Sequence, residues 1–477
     1  MASAVTTKNL GSSIFSSQWF AFALAALCAL AVGVCIGESR WIRVGLMVAA
    51  FLVFRWPIET ALGAFVLLVP FESLAMADSG SGRTILWFVG VGAACTLLAT
   101  ALVKSRLQRP PRAALWWTIF ALWCVVTCIW AISPDKAWGA VPTALASLFF
   151  YLAAVSFRLE EREYKRIVAF IILGGSAAGL YAIRLFYNGV SFREVNGIST
   201  MRGSLIMGNA EVNPNVFATR LLLPLALAVG GYLASRSRIA KLICLGASGT
   251  LVLALLVTMS RGAFLAMLVM AAVFALRLGV NRRTLLVGAT IGGIVMAMPA
   301  LFFSRLMEAG QTGGAGRLDI WLVGWQLVKH YGVFGAGLNN FSNAYSLYAG
   351  YAPLFRGFDR DPHNVYLRVL VEFGLLGTVL FVKVIAVELL TKPKARAQGA
   401  AAPQRHAWLV ASEAAAWSIM TASMFGNLLW EKSFWLVWMM LAFSTQLYAS
   451  RRSQNDAQLK AVEAPLHRPR WSETVVR

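Results

Sequence analysis

The chain has 477 residues, 58% of them apolar and only 13% charged, about half the ~25% charged fraction of an average soluble domain, which excludes a soluble globular protein. Its aromatic content of 12% excludes disorder, and its apolar runs are continuous rather than alternating, which excludes a β-barrel. The formal net charge of +22 is spread in short clusters between apolar runs, a pattern that encodes membrane topology and not nucleic-acid binding.

The predicted fold is an all-α polytopic membrane protein with about 12 to 14 transmembrane helices of ~20 residues each. In chain order the predicted spans are Trp19–Gly37, Trp41–Phe54, Pro57–Met76, Thr84–Val103, Ala114–Ile132, Trp138–Phe157, Ile167–Tyr187, Val216–Ala234, Leu242–Met259, Gly262–Leu278, Thr284–Phe303, Val365–Leu390, Trp408–Leu429 and Phe434–Ala449. The first has no small-residue cleavage pattern after it, so no cleavable signal peptide is expected. The basic connections are Lys104/Arg106/Arg109/Arg112, Arg158 to Arg166, Arg236/Arg238/Lys241, Arg277/Arg282/Arg283, Lys392 to Arg405, and the tail from Arg451. Even numbers of spans separate them, so all can lie in the cytoplasm. The cysteines lie inside apolar runs without zinc-ligand spacing, and no disulfide is expected.

The chain thus divides into an N-terminal bundle over 1–303, a large external loop over 304–364, C-terminal helices over 365–450 and a basic tail over 451–477. The bundle includes a smaller external loop over 188–215. The large loop contains a helical segment beginning at Arg317, with Trp321 and Trp325 on one face, which suits a helix lying on the membrane surface. No internal repeat is visible, which disfavours a transporter built from repeated halves.

Candidate functional residues gather on the external side. The segment from Leu242 to Leu278 begins and ends in basic clusters and is too long for one crossing, so it must reverse near Thr258–Gly262, where glycine permits a sharp turn. Arg261 is then at the membrane boundary, as a snorkelling side chain or as an anion site. Pro362 suits the first turn of the next helix, and His363 sits where the loop enters it. A histidine there can accept a proton from an attacking hydroxyl. Asn364, Arg368 and Glu372 follow at four-residue spacing, so Arg368 and Glu372 can pair. Arg202 and Arg220 either bind an anion or pair with Glu194 or Glu211. Asp359 and Asp361 could hold a divalent metal but are more simply read as solvated acids. His330 shares only the external location of His363.

Ser260-Arg261-Gly262, Gly316 to Trp321, Gly335-Ala336-Gly337 with Phe341, Pro362 to Leu367 and Glu372 to Gly377 together resemble the conserved part of the O-antigen ligase and O-antigen polymerase superfamily. The resemblance implies a glycosyltransferase at the periplasmic face of the bacterial inner membrane. Its donor is a glycan on undecaprenyl diphosphate, and its surroundings are membrane lipids. In a ligase, the favoured member, the acceptor is lipid A–core oligosaccharide; polymerases join repeat units, and related enzymes glycosylate proteins. It also implies that no metal or nucleotide cofactor is used. His363 matches the required histidine as catalytic base. Arg261 and Arg317 match the arginines that stabilise the diphosphate, and Arg202 matches less closely. Arg220, Arg368 and Asn364 complete the expected substrate-binding set.

Overall fold

A computed structural model describes residues 56–74, 84–190, 202–207, 210–278, 316–390 and 402–463. The protein is an all-α polytopic membrane protein, and among the described residues eight helices are long and apolar enough to cross a bilayer. The predicted spans at Trp19–Gly37, Trp41–Phe54 and Thr284–Phe303 lie outside the described residues.

Helix α1 (Pro57–Leu68) leads into a 3₁₀ turn over Val69–Leu74. The expected end of this span at Met76 lies outside the described residues. Pro70 has no N–H to continue the helical ladder, and the helix ends before it. Next come α2 (Ile85–Val103), α3 (Arg112–Val126, extended by a 3₁₀ turn to Trp130), α4 (Pro134–Val155) and α5 (Glu161–Tyr187). Pro134 opens α4, where its missing N–H has no cost. Glu160 and Glu163 cap α5 reciprocally. A two-residue hairpin, β1 (Ile206–Met207) with β2 (Ala210–Glu211), occupies part of the smaller loop.

The next span is α6 (Pro214–Arg220) followed directly by α7 (Leu222–Ala234), with Asn213 capping its start. Then come α8 (Arg238–Val257) and α9 (Arg261–Leu278). The large loop holds α10 (Arg317–Tyr331) and α11 (Phe341–Tyr348). Helices α12 (Val365–Leu390), α13 (Ala402–Ala422) and α14 (Lys432–Glu463) complete the chain. α13 stops at Ala422, short of the expected Leu429, and residues 423–431 fold back into the bundle with Leu428 and Leu429 buried.

The core is aromatic near α14. Trp117 is fully buried among Phe120, Tyr151, Phe381, Phe434, Trp435 and Trp438. Elsewhere small residues bring helices close: a Cβ on Gly230 would lie 2.6 Å from Ala411 Cβ. Large apolar side chains such as Leu115, Leu122 and Ile129 of α3 face outward, as lipid contact requires.

Loops at each end of the bundle bind one another. At one end Gly203 N donates to Val257 O (2.7 Å), Ile132 N to Ala336 O (3.1 Å) and Val365 N to Ser423 O (2.8 Å). At the other, Arg158 N donates to Arg106 O (2.9 Å), and Arg106 and Arg277 make two-pronged pairs with Glu163 and Glu413. The second end carries the basic connections, so impermeant thiol reagents should distinguish the two ends. In a background lacking the native cysteines, Gly350→Cys and Arg236→Cys should label from opposite sides of sealed vesicles. Labelling of both from the same side would overturn the arrangement.

Candidate functional site

The large loop is joined to the bundle by a kink in α12. Gly374 has φ 67° and ψ −166° inside the helix, a conformation that only glycine adopts readily. The break frees the preceding carbonyls for other donors. Ala336 N reaches Val371 O (2.8 Å), Gly337 N reaches Glu372 O (2.9 Å) and Leu375 N reaches Gly332 O (2.7 Å), while Trp123 Nε1 donates to Phe373 O (2.9 Å). A Cβ on Gly374 would lie 2.3 Å from Val333 O, and one on Gly335 2.2 Å from Glu372 O. The glycines of the two motifs therefore permit backbone to meet backbone.

Glu372 reinforces this junction. Its carboxylate is fully buried and accepts from Arg368 Nε (3.0 Å), Phe341 N (3.1 Å) and Asn339 N (3.1 Å). Arg368 also donates to Asn339 Oδ1 (2.9 Å). The expected Arg368–Glu372 pair is present, and it encloses Arg368 in a network that holds the loop. Asn364 accepts from Tyr366 N and Leu367 N, so it is the cap of α12. Pro362 lies before that cap and not in the first helical turn as expected, because Asn364 supplies the capping oxygen one residue before Val365. His363 bridges the two with φ 46°.

Helix α10 runs past this bridge. Trp321 Nε1 donates to Pro362 O (2.8 Å), and Asp319 takes Arg356 Nε (2.8 Å). Ile320, Val323, Gly324 and Leu327 form the buried face. Leu318, Leu322 and Trp325 are exposed along the opposite stripe, the pattern of a helix resting on a membrane surface. Arg317 opens the helix beside Arg261 and His363. Its guanidinium is pushed below its usual pKa by burial and by the charge of Arg261. His363 is solvent-exposed yet closely surrounded by protein. Loss of hydration pushes its imidazole below the usual range, Arg317 and Arg360 push in the same direction, and Asp361 opposes them. Arg261, Arg317 and His363, distant in sequence, thus share one electrostatic neighbourhood.

The reversal between α8 and α9 falls at Thr258–Ser260, with Met259 in the left-handed region at φ 51°. Gly262 is not the turning residue. It lies inside α9, where a Cβ would come 2.8 Å from Phe425 Cβ. Arg202 braces the turn, donating from Nε to Thr258 O (3.0 Å) and from Nη2 to Asn215 Oδ1 (2.8 Å). Arg220 is buried and pairs with Glu431 (2.9 Å) and Glu72 (3.7 Å), and Glu72 also pairs with Lys432. These partners replace the expected Glu211, which is exposed; Glu194 lies outside the described residues. No local spacing could have revealed them, because Glu72 lies in the 3₁₀ turn after α1 and Glu431 in the segment after α13, both far from Arg220 in the chain.

His330 packs against Tyr348 with ring centroids 4.8 Å apart and the planes tilted by 40°. Asp359 Oδ1 lies 3.7 Å from Lys136 Nζ, and among the described residues no group of three or more His, Cys, Asp or Glu side chains could hold a metal ion. The sequence reading missed Trp321 as a partner of the His363 segment, although its position one turn after Arg317 was a usable signal.

Fold and site together define a polytopic membrane protein with a cationic, histidine-containing site at one end of its bundle. Residues 246–382 match a protein family described as O-Antigen ligase, which supports the O-antigen ligase and polymerase superfamily. The family points to a glycosyltransferase-like enzyme with lipid-linked glycan and membrane lipid as partners. The matched region contains Arg261, Arg317, His363, Asn364, Arg368 and Glu372, and leaves Arg202 and Arg220 outside it. No curated protein matches the chain.

Removing one partner from a buried ion pair leaves an uncompensated charge and costs about 3–5 kcal/mol. Glu372→Ala should therefore lower the thermal midpoint of the detergent-purified protein sharply, whereas Arg236→Ala, at an exposed loop position at the opposite end, should change it little. A Glu372→Ala midpoint equal to wild type would remove the anchoring role.

Proposed function

We propose that the protein transfers a glycan from undecaprenyl diphosphate to lipid A–core oligosaccharide at the periplasmic face of the inner membrane. The observation that carries this reading is the grouping of Arg261, Arg317 and His363 at one end of the bundle. The basic connections at the opposite end support a periplasmic site, and the family match supports the reaction class.

The chemistry follows from the charges. An acceptor hydroxyl oxygen attacks the anomeric carbon of the donor sugar and its proton passes to neutral His363. The bond from that carbon to the diphosphate oxygen breaks, and undecaprenyl diphosphate leaves with the electron pair. Charge develops on the leaving group, where Arg261 and Arg317 provide fixed cations. Guanidinium forks match phosphate oxygens two at a time. Arg202 and Arg220 support this site from behind: one braces the turn before Arg261, and the other holds residues 423–431 against the bundle.

Purified protein given undecaprenyl-diphosphate glycan should modify lipid A–core. Transfer only onto a second donor repeat unit would make it a polymerase, and transfer only onto protein a protein glycosyltransferase. His363→Ala should bind donor yet lose about a hundred- to ten-thousandfold in rate. The base works only when neutral, so the wild-type rate should fall as pH drops through the imidazole pKa. Loss of hydration against the surrounding protein and the nearby arginines place that limb below the ordinary ~6.5. His363→Gln with high activity and no acid limb would eliminate the base.

For the diphosphate, Arg261→Ala should lose on the order of a hundredfold in rate, and Arg261→Lys should recover only part of it because the fork is lost. A folded Arg261→Ala enzyme with full transfer activity would leave Arg261 a membrane-interface residue.

A further inference from the structure

Trp321 is half-buried and stands four residues, about one helical turn, after Arg317 on α10. Its only indole donor, Nε1–H, points at the Pro362 carbonyl, 2.8 Å away. That oxygen belongs to the same rigid peptide plane as the His363 nitrogen. Holding the oxygen fixes the axis about which His363 φ turns. On the other side, Asn364 is fixed by its two capping hydrogen bonds to Tyr366 N and Leu367 N. His363 sits between these fixed points with φ 46°, a region that non-glycine residues occupy at a cost and only when their surroundings over-determine it.

We propose that Trp321 is a positioning residue for His363: its indole N–H holds the Pro362–His363 peptide plane and keeps the imidazole beside Arg317. This rests on the reading of His363 as the base. One helix then carries both a cation of the diphosphate site and the restraint on the base, so their spacing is set by a single turn of α10. Without the N–H, the peptide plane is free to rotate and His363 relaxes toward an ordinary backbone conformation. The imidazole then moves away from Arg317. Its other charged neighbours, Arg360 and Asp361, lie on its own loop. Distance from the Arg317 charge makes protonation easier, so the pKa rises.

The chain has four histidines, so labelling with ¹³Cε1-histidine gives a readable NMR titration, with the His363 resonance assigned by its loss in His363→Ala. Two changes at Trp321 remove the donor: Trp321→Phe, and site-specific insertion of benzothienylalanine, which keeps the indole shape and replaces N–H by sulfur. Both should raise the His363 midpoint and lower kcat about tenfold, the scale of one lost hydrogen bond, with KM for undecaprenyl-diphosphate glycan little changed. His330, further along α10, should titrate as in wild type. A benzothienylalanine enzyme with wild-type His363 titration and wild-type kcat would overturn the proposal, and a shift at His330 equal to that at His363 would count against it by marking damage to the helix. The base reading fails separately, by transfer activity surviving in His363→Ala, and the titration result at Trp321 is read without reference to that activity.

Discussion

A buried carboxylate in an apolar bundle is costly unless its oxygens are satisfied, and Glu372 meets that condition with groups from three places. Arg368 comes from its own helix, Asn339 N from the segment after the glycine-rich turn, and Phe341 N from the start of α11. Its neighbour Gly374 breaks the helix and turns the carbonyls of Val371 and Glu372 toward the same loop. The loop is therefore attached to the bundle by its own backbone, at the point where one helix gives up regular hydrogen bonding. α10 and the 360–364 segment take their positions from that attachment.

The arginines then separate into two kinds by their company. Arg106, Arg220, Arg277 and Arg368 each meet a carboxylate, and each holds elements together. Arg317 instead meets Arg261, and its field reaches His363. That field makes His363 easier to keep neutral. On the proposed reaction, the field offered to a leaving diphosphate would also favour the protonation state that a base requires.

Most span boundaries were legible in the sequence, because hydropathy alone decides where a helix enters lipid. The exceptions are local. Pro70 ends α1 early, and residues 423–431 are apolar enough to read as helix although they fold back. The reversal before Arg261 was legible from the length of the segment, but its left-handed residue is Met259, while Gly262 serves close packing against Phe425. The Arg368–Glu372 pair was legible because four residues is one helical turn. The ion pair of Arg220 with Glu431 and the hydrogen bond of Trp321 to Pro362 were not, since both join segments far apart in the chain.

Backbone strain marks both sides of the site. Met259 lies two residues before Arg261 and His363 one residue after Pro362, and each is a non-glycine residue with positive φ. Each is also held from outside its own segment. Arg202 grips the Thr258 carbonyl next to Met259, and Trp321 grips the Pro362 carbonyl next to His363. In both cases a long side chain from another element takes the carbonyl of the peptide just before or beside the strained residue. Two braced turns thus present Arg261, at the start of α9, and His363 from fixed backbone, and preorganisation of that kind is what electrostatic stabilisation requires.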